Sequence, residues 1–239
     1  MEWQLKPARD FGLSVRQRLA SLTRELGFLA TATHWCWREL VRGYLHFFHR
    51  LEVTGLEHLP EPPFVVIANH SSHLDALTLA SAMPARLVDR IHPIAAGDTF
   101  FTSFVSSAFA AFAINALPLR RKATKPADLA MLRARLVEDR LVYILFPEGT
   151  RSRSGEMAPF KPGIGVLVAG TTIPVVPCSL EGAFVALPPH RSWPRFTQLR
   201  LKIGAPLTFA KIASDRAAWE ATAAHCEAAV RELVGDPPR

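Results

Sequence analysis

Two histidines and an aspartate follow a short apolar run in FVVIANHSSHLDALTLA, residues 64–80. His70, His73 and Asp75 could form a general base with an orienting carboxylate, a metal site, or only a polar turn between core segments. If residues 70–75 were all helical, His70 and Asp75 would point to different faces, because helical neighbours are three or four positions apart. We therefore predict a turn in which Asp75 folds back onto one imidazole nitrogen and leaves the other free as a base.

The metal interpretation needs more ligands than this trio supplies. No second paired histidine cluster follows it in the chain, and no cysteine stands near a histidine in a ligand-like pattern. The cysteines, Cys36, Cys178 and Cys226, lie far apart without a CxxC pair, which predicts neither a disulfide framework nor a zinc knuckle. This cysteine usage fits a reducing compartment.

A second group of polar residues lies in YILFPEGTRSRSG, residues 143–155, where an apolar run meets Pro147. Gly149 permits close backbone approach, and the planar guanidinium of Arg151 suits a phosphate. A third group is NALPLRRKATK, residues 115–125, with basic side chains directly after an apolar run. Both could bind phosphate, and both could equally be charged surface loops.

The elements that must position these residues alternate between short β-branched runs and helical patterns. This alternation predicts a single α/β domain, with a mostly buried mixed sheet flanked by helices. We predict strands over 51–54, 64–68, 91–95, 114–118, 142–146, 173–177 and 199–203, and helices over 74–83, 127–139 and 214–234. Asn69 or Ser72 could cap the helix that begins near residue 74.

The N-terminal region, residues 1–50, is predicted to be an amphipathic helical region that associates with a membrane, ahead of a domain over 51–239. Residues 27–48 are apolar and aromatic, interrupted by Arg38, Glu39 and Arg42 at near-helical spacing, which suits an interfacial helix. The alternative is an ordinary helix that packs on the core. No secretory signal pattern is present, so we expect the chain to remain in the cytoplasm.

A later uncharged stretch, residues 99–119, has the length to cross a bilayer. Its phenylalanines recur along one helical stripe, and it contains Asn115 and Pro118, so we predict a helix over 99–112 and then a short strand. The excess of 28 Lys and Arg over 21 Asp and Glu favours anionic partners.

Four ordered motifs together resemble the glycerolipid acyltransferase family, whose best-known members are 1-acylglycerol-3-phosphate acyltransferases. They are NHxxxxD at 69–75, a strand that ends at Arg120, FPEGTRS at 146–152 and IPVVP at 173–177. The resemblance covers roughly residues 45–210. In the second motif Leu119 stands where the family usually has an acidic residue, and Arg121 follows Arg120, so either arginine could bind phosphate.

The resemblance implies an acyltransferase that moves a fatty acyl group from acyl-CoA or acyl carrier protein to the free hydroxyl of 1-acylglycerol-3-phosphate, giving phosphatidic acid. It assigns His70 as the base, Asp75 as its orienter and no catalytic role to His73. Phosphate and glycerol binding are assigned to Arg120, Glu148, Gly149, Thr150 and Arg151, with Lys161 as a weaker phosphate candidate. No cofactor and no metal are expected.

The expected partners are a lysophospholipid acceptor, an acyl thioester donor and an anionic membrane surface, with no nucleic acid. The expected location is the cytoplasmic face of the inner membrane, with peripheral or monotopic attachment. Three alternatives remain: an acyltransferase for another lysolipid such as lyso-ornithine lipid, a catalytically silent lipid-binding protein, and a metal-dependent hydrolase. Activity that survives a chelator would exclude the last.

Overall fold

The computed structural model describes residues 8–25, 27–97, 103–119 and 126–235. Within them the strands are β1 Glu52–Thr54, β2 Phe64–Ala68, β3 Ile91–Ala96, β4 Leu117–Leu119, β5 Val142–Leu145, β6 Val175–Glu181 and β7 Arg200–Ile203. The α-helices are α1 Val15–Leu19, α2 Phe28–His49, α3 Asp75–Ala82, α4 Phe104–Ala113, α5 Pro126–Glu138, α6 Gly163–Val168, α7 Ala183–Ala186 and α8 Arg216–Gly235. Two 3₁₀ helices span Leu56–His58 and Ala85–Arg90.

The described strands form one seven-stranded sheet in the order β1, β7, β6, β2, β5, β3, β4. Every neighbouring pair is parallel except β6 and β7, which are antiparallel. The predicted α/β class with a mixed sheet is therefore confirmed. Because β2 and β5 are parallel neighbours, the loops that follow them leave the sheet at the same edge.

The central strand β2 is buried on both faces, as its continuous run of apolar residues predicts. Its side chains alternate between two cores because successive residues of a strand point to opposite faces. Phe64 and Val66 pack in the core that α2 and α3 cover. Val65 and Ile67 pack with residues of α5, α6 and α8 on the other side.

Two predicted strands differ from the structure. Strand β4 starts later than the predicted residue 114, because Asn115 adopts a positive φ of 50° and its side chain donates to the carbonyl of Ile91. Strand β6 continues well past the predicted end at Pro177. Proline has no N–H to donate. At Pro177 an N–H would point to the side of β6 where Val175 pairs with Leu207, beyond the end of β7, so no ladder hydrogen bond is lost.

Helix α2 packs against α3 and α4 through one buried face. On that face the ring of His34 bonds the carbonyl of Phe112, and the guanidinium of Arg38 donates to the carbonyls of Ser81 and Met83. Arg38 therefore belongs to the buried face of α2, where its guanidinium pairs with carbonyls at the C-terminal end of α3.

The side of α2 next to this buried face exposes apolar and aromatic side chains. They are Trp37, Leu40, Tyr44, Phe47 and Phe48. Among the described helices, none is both long and apolar enough to span a bilayer. The first part of the predicted helix 99–112 falls on residues 99–102, which lie outside the described chain, and α4 forms its remainder.

Candidate active site

The loop between β2 and α3 makes the predicted turn and brings Asp75 back onto His70. Oδ2 of Asp75 accepts three hydrogen bonds: from Nδ1 of His70 at 2.8 Å, from the N–H of Ser71 at 2.7 Å and from the N–H of Ser72 at 2.8 Å. A carboxylate that two backbone donors hold in place fixes the imidazole tautomer, with the proton on Nδ1 and the lone pair on Nε2. The geometry suits a base with its orienter.

Neither residue proposed as a cap for α3 performs that role. The side-chain amide of Asn69 exchanges two hydrogen bonds with the backbone of Leu180 in β6, at 2.8 and 3.0 Å. The hydroxyl of Ser72 accepts from the N–H of Leu74 but does not cap the helix, and it donates to the carbonyl of Leu187 at 2.7 Å. These side chains instead tie the loop to β6 and to the chain after α7.

His70 presents its ring to solvent between two supports. Its side chain is 21% exposed, while that of Asp75 is 1% exposed. The imidazole stacks nearly parallel on Phe146, with ring centroids 4.0 Å apart and planes 16° apart. The backbone carbonyl of His70 accepts from the N–H of Ser152 at 2.7 Å. The loop after β5 therefore fixes both the ring plane and the backbone of His70.

Glu148 lies beneath His70 and uses both carboxylate oxygens on backbone N–H groups. Oε1 accepts from the N–H of His70 at 2.6 Å, and Oε2 accepts from the N–H of Ala158 at 2.9 Å. Burial raises the pKa of this carboxyl, and the two backbone donors oppose that shift. These contacts make Glu148 a positioning residue for His70, and its assignment to substrate binding stays a prediction.

The turn at Gly149 needs a residue without a side chain. Its φ is +76°, and a Cβ there would lie 2.7 Å from Nζ of Lys161. The lysine ammonium therefore lies against the turn that joins Glu148 to Thr150, and Thr150 is exposed. The structure brings Gly149, Thr150 and Lys161 to the edge of the sheet where His70 lies, and their predicted contacts with substrate remain untested.

Arg151 is partly buried and reaches the second histidine of the first motif. Its Nη1 contacts both ring nitrogens of His73 and lies 2.8 Å from Nε2. Burial and the neighbouring guanidinium lower the pKa of His73, so the ring is neutral and can accept a hydrogen bond. Sequence reasoning gave His73 no catalytic role, because it falls among the variable positions of the NHxxxxD motif. Its contact with Arg151 joins residues far apart in the chain and leaves no spacing signal.

Arg120 and its neighbour Arg121 lie outside the described residues. Within the part of the chain that the structure describes, no group of three or more His, Cys, Asp or Glu side chains could hold a metal ion. His73, which a metal site would need as a third ligand, contacts Arg151 instead.

Three comparisons with known proteins bear on this site. Residues 50–181 match the profile of the family described as Acyltransferase. The human 1-acyl-sn-glycerol-3-phosphate acyltransferase alpha is 36% identical over 132 residues, which cover 54% of this chain and 44% of that protein. A Brassica napus chloroplastic relative, 1-acyl-sn-glycerol-3-phosphate acyltransferase BAT2, is 33% identical over 144 residues, covering 59% of this chain and 40% of its own. The chain thus spans less than half the length of these relatives.

A solved structure has the same fold. It is the 1-acyl-sn-glycerophosphate (LPA) acyltransferase PlsC from Thermotoga maritima, with a TM-score of 0.59 and 23% sequence identity. The match covers 84% of this chain and 83% of that one.

Proposed function

The chain belongs to the acyltransferase family, and we propose that it transfers a fatty acyl group from acyl-CoA or acyl carrier protein to the free hydroxyl of 1-acylglycerol-3-phosphate. The observation that carries the proposal is the pair formed by His70 and Asp75, joined at 2.8 Å. The names of the relatives, all 1-acyl-sn-glycerol-3-phosphate acyltransferases, support this acceptor.

In the proposed reaction Nε2 of His70 takes the proton of the acceptor hydroxyl as its oxygen attacks the thioester carbonyl. The new ester C–O bond forms, the C–S bond of the tetrahedral intermediate breaks, and the imidazolium returns its proton to the departing thiolate. Asp75 stabilises the imidazolium and holds Nδ1–H. The nucleophile is the hydroxyl of the substrate, so the protein needs no covalent intermediate and no cofactor.

The acceptor's phosphate would position that hydroxyl. Arg151 lies on the loop after β5, the strand that neighbours β2, so its guanidinium is near the base. Arg120, or Arg121 beside it, is proposed as the second cation of this clamp. Holding the hydroxyl beside the thioester can lower the barrier by several kcal/mol, roughly 7 or more in favourable cases.

We also propose that the protein lies on the cytoplasmic face of the inner membrane, because its substrates are membrane lipids. The exposed apolar face of α2 supports this location: Phe47 is 82% exposed and Leu40 is 69% exposed. The net charge of +7 favours an anionic leaflet. Attachment would be peripheral or monotopic.

The test of the activity is acyl transfer from labelled acyl-CoA to lysophosphatidate and to a panel of other lysolipids, with a chelator present. Wild-type protein should produce phosphatidate, and His70→Ala should lose this activity by several orders of magnitude while remaining folded. Product from another lysolipid alone would replace the proposed acceptor. No transfer from either acyl-CoA or acyl carrier protein would refute the activity.

The membrane location has its own test, co-sedimentation with vesicles of phosphatidylcholine and phosphatidylglycerol. Each large apolar side chain that leaves the bilayer costs about 1.5–3 kcal/mol, so the double variant Leu40→Asp, Phe47→Asp should bind at least roughly 100-fold more weakly. Trp193→Asp, a change at an equally exposed aromatic outside α2, serves as the control. Equal binding by the double variant and wild type would exclude α2 as the docking face.

A further inference from the structure

An open cleft borders the catalytic loop at His73. Its lining residues are His73, Leu187, Pro189, His190, Arg191 and Ser192. The cleft is tied to the loop of the base by hydrogen bonds, because the carbonyl of Leu187 accepts from the hydroxyl of Ser72 at 2.7 Å and from the N–H of His73 at 3.4 Å. Its position relative to His70 is therefore fixed by direct contacts.

The chemistry of the lining is that of an anion site. It supplies a guanidinium, two imidazoles and a hydroxyl, and none of the six lining residues is acidic. Arg151 adds a second guanidinium at the rim, through its contact with His73. Two guanidinium groups and an imidazole around one opening suit the oxygens of a phosphate.

We propose that this cleft holds the phosphate of the acceptor lysolipid, between Arg151 on one side and Arg191 on the other, with His73 as a further ligand. The assignment rests on the proposed function. It adds to the four motifs two residues, His73 and Arg191, that the motifs do not include.

The cleft adjoins the loop that carries His70, which favours the acceptor over the donor. In 1-acylglycerol-3-phosphate only four covalent bonds separate the oxygen of the free hydroxyl from the phosphorus. His73 follows His70 by three positions, a span of at most about 10 Å of extended chain. A phosphopantetheine arm places its phosphate more than ten bonds from the thioester, so an extended donor would hold its phosphate well beyond a site that adjoins the loop of His70.

His73 can bind two partners, the guanidinium of Arg151 and a phosphate oxygen. Its ring accepts a hydrogen bond from Nη1 of Arg151 and so keeps the guanidinium directed at the cleft. An entering phosphate replaces the imidazole as the acceptor for Arg151. The ring is then available to donate its own N–H to a phosphate oxygen.

The test compares Arg191→Ala with Arg195→Ala, since Arg195 is an exposed arginine of the same segment that does not line the cleft. Loss of one charge-assisted hydrogen bond should raise the KM for lysophosphatidate about 10- to 100-fold in Arg191→Ala, with kcat and the KM for acyl-CoA unchanged. Arg191→Lys should recover part of the loss. His73→Ala should act in the same direction, and Arg195→Ala should match wild type.

Two outcomes would overturn the proposal. A rise in the KM for acyl-CoA instead would assign the cleft to the donor. An equal loss of turnover with monoacylglycerol, an acceptor without phosphate, would show a structural effect only.

Binding of glycerol 3-phosphate, measured by calorimetry, separates this proposal from the proposed function. Binding that depends on Arg191 in a protein that acylates no lysolipid would refute the activity and keep the phosphate site. Acylation of lysophosphatidate with unchanged kinetics in Arg191→Ala would keep the activity and refute the site.

Discussion

Replacing Asp75 with asparagine tests the charge of the carboxylate separately from its shape. Oδ2 of Asp75 accepts from Nδ1 of His70 and from the backbone N–H groups of Ser71 and Ser72. Because two backbone donors already point at that position, the asparagine should place its carbonyl oxygen there and its NH₂ at the position of Oδ1. His70 then keeps its proton on Nδ1 and its lone pair on Nε2. Only the negative charge that stabilises the imidazolium is lost.

The size of this loss follows from the distance between the charges. Two unit charges about 4 Å apart attract each other by about 4 kcal/mol at an effective dielectric constant of about 20. A tenfold change in rate corresponds to about 1.36 kcal/mol, so Asp75→Asn should lower kcat/KM by about 10³. The KM for the acceptor should change little, since Asp75 is buried behind the imidazole.

The assay is the initial rate of acyl transfer at several acceptor concentrations, with thermal unfolding measured on the same protein. Among the described residues Oδ1 of Asp75 is buried without a hydrogen-bond partner, so the new NH₂ should cost about 1–3 kcal/mol of stability. A folded Asp75→Asn protein with less than a tenfold loss in kcat/KM would refute the electrostatic role of Asp75. A loss as large as that of His70→Ala would show that the tautomer had changed and would refute the argument on orientation.

Three further predictions follow from buried or strained positions. Glu148→Gln should lower kcat roughly 10- to 100-fold and reduce Tm, because one amide oxygen cannot accept from the N–H groups of both His70 and Ala158. If Glu148→Asp were as active as wild type, the site would not need two well-placed carboxylate oxygens. Burial lowers the pKa of His92 to about 3 from 6.5. As pH falls from 6.5 towards 3, the unfolded chain takes up a proton at His92 that the folded protein does not bind, so the free energy of unfolding should fall. Urea unfolding at pH 7 and pH 4.5 should show a smaller fall in His92→Asn than in wild type. Gly149→Ala should cost about 1–2 kcal/mol of stability at its φ of +76°, measurable as a lower Tm, and an unchanged Tm would contradict the strain.

The sequence predicts a strand correctly where the pattern of apolar residues within one short segment determines both of its ends. The strand over residues 64–68 was predicted with the bounds that β2 has, because its apolar run ends at Asn69. The prediction for β6 stopped at Pro177, although the strand continues through Cys178 to Glu181. Those later residues are extended because they pair with β7, a partner that no local pattern identifies.

The same division holds at the candidate site. The pairing of His70 with Asp75 could be predicted, because residues five positions apart do not share a helical face and can meet only across a turn. The contacts of Glu148 with the backbone of His70 and of Arg151 with His73 join residues 78 positions apart, and neither leaves a periodic signal. Sequence reasoning therefore predicted the contact between His70 and Asp75 and missed the more distant contacts that hold the pair in place.

The order of the strands explains why these distant residues meet. The chain passes from β2 through β3 and β4 before β5 returns to lie beside β2 in parallel. Both loops then leave the same edge of the sheet, and the second loop closes on the first through Phe146, Glu148 and Ser152. His70 is thus held from two directions, its ring by Asp75 on its own loop and its backbone by a loop that folds onto it only when the sheet is complete. A base fixed in this way loses little freedom when substrate arrives, which is the condition under which positioning lowers a barrier most.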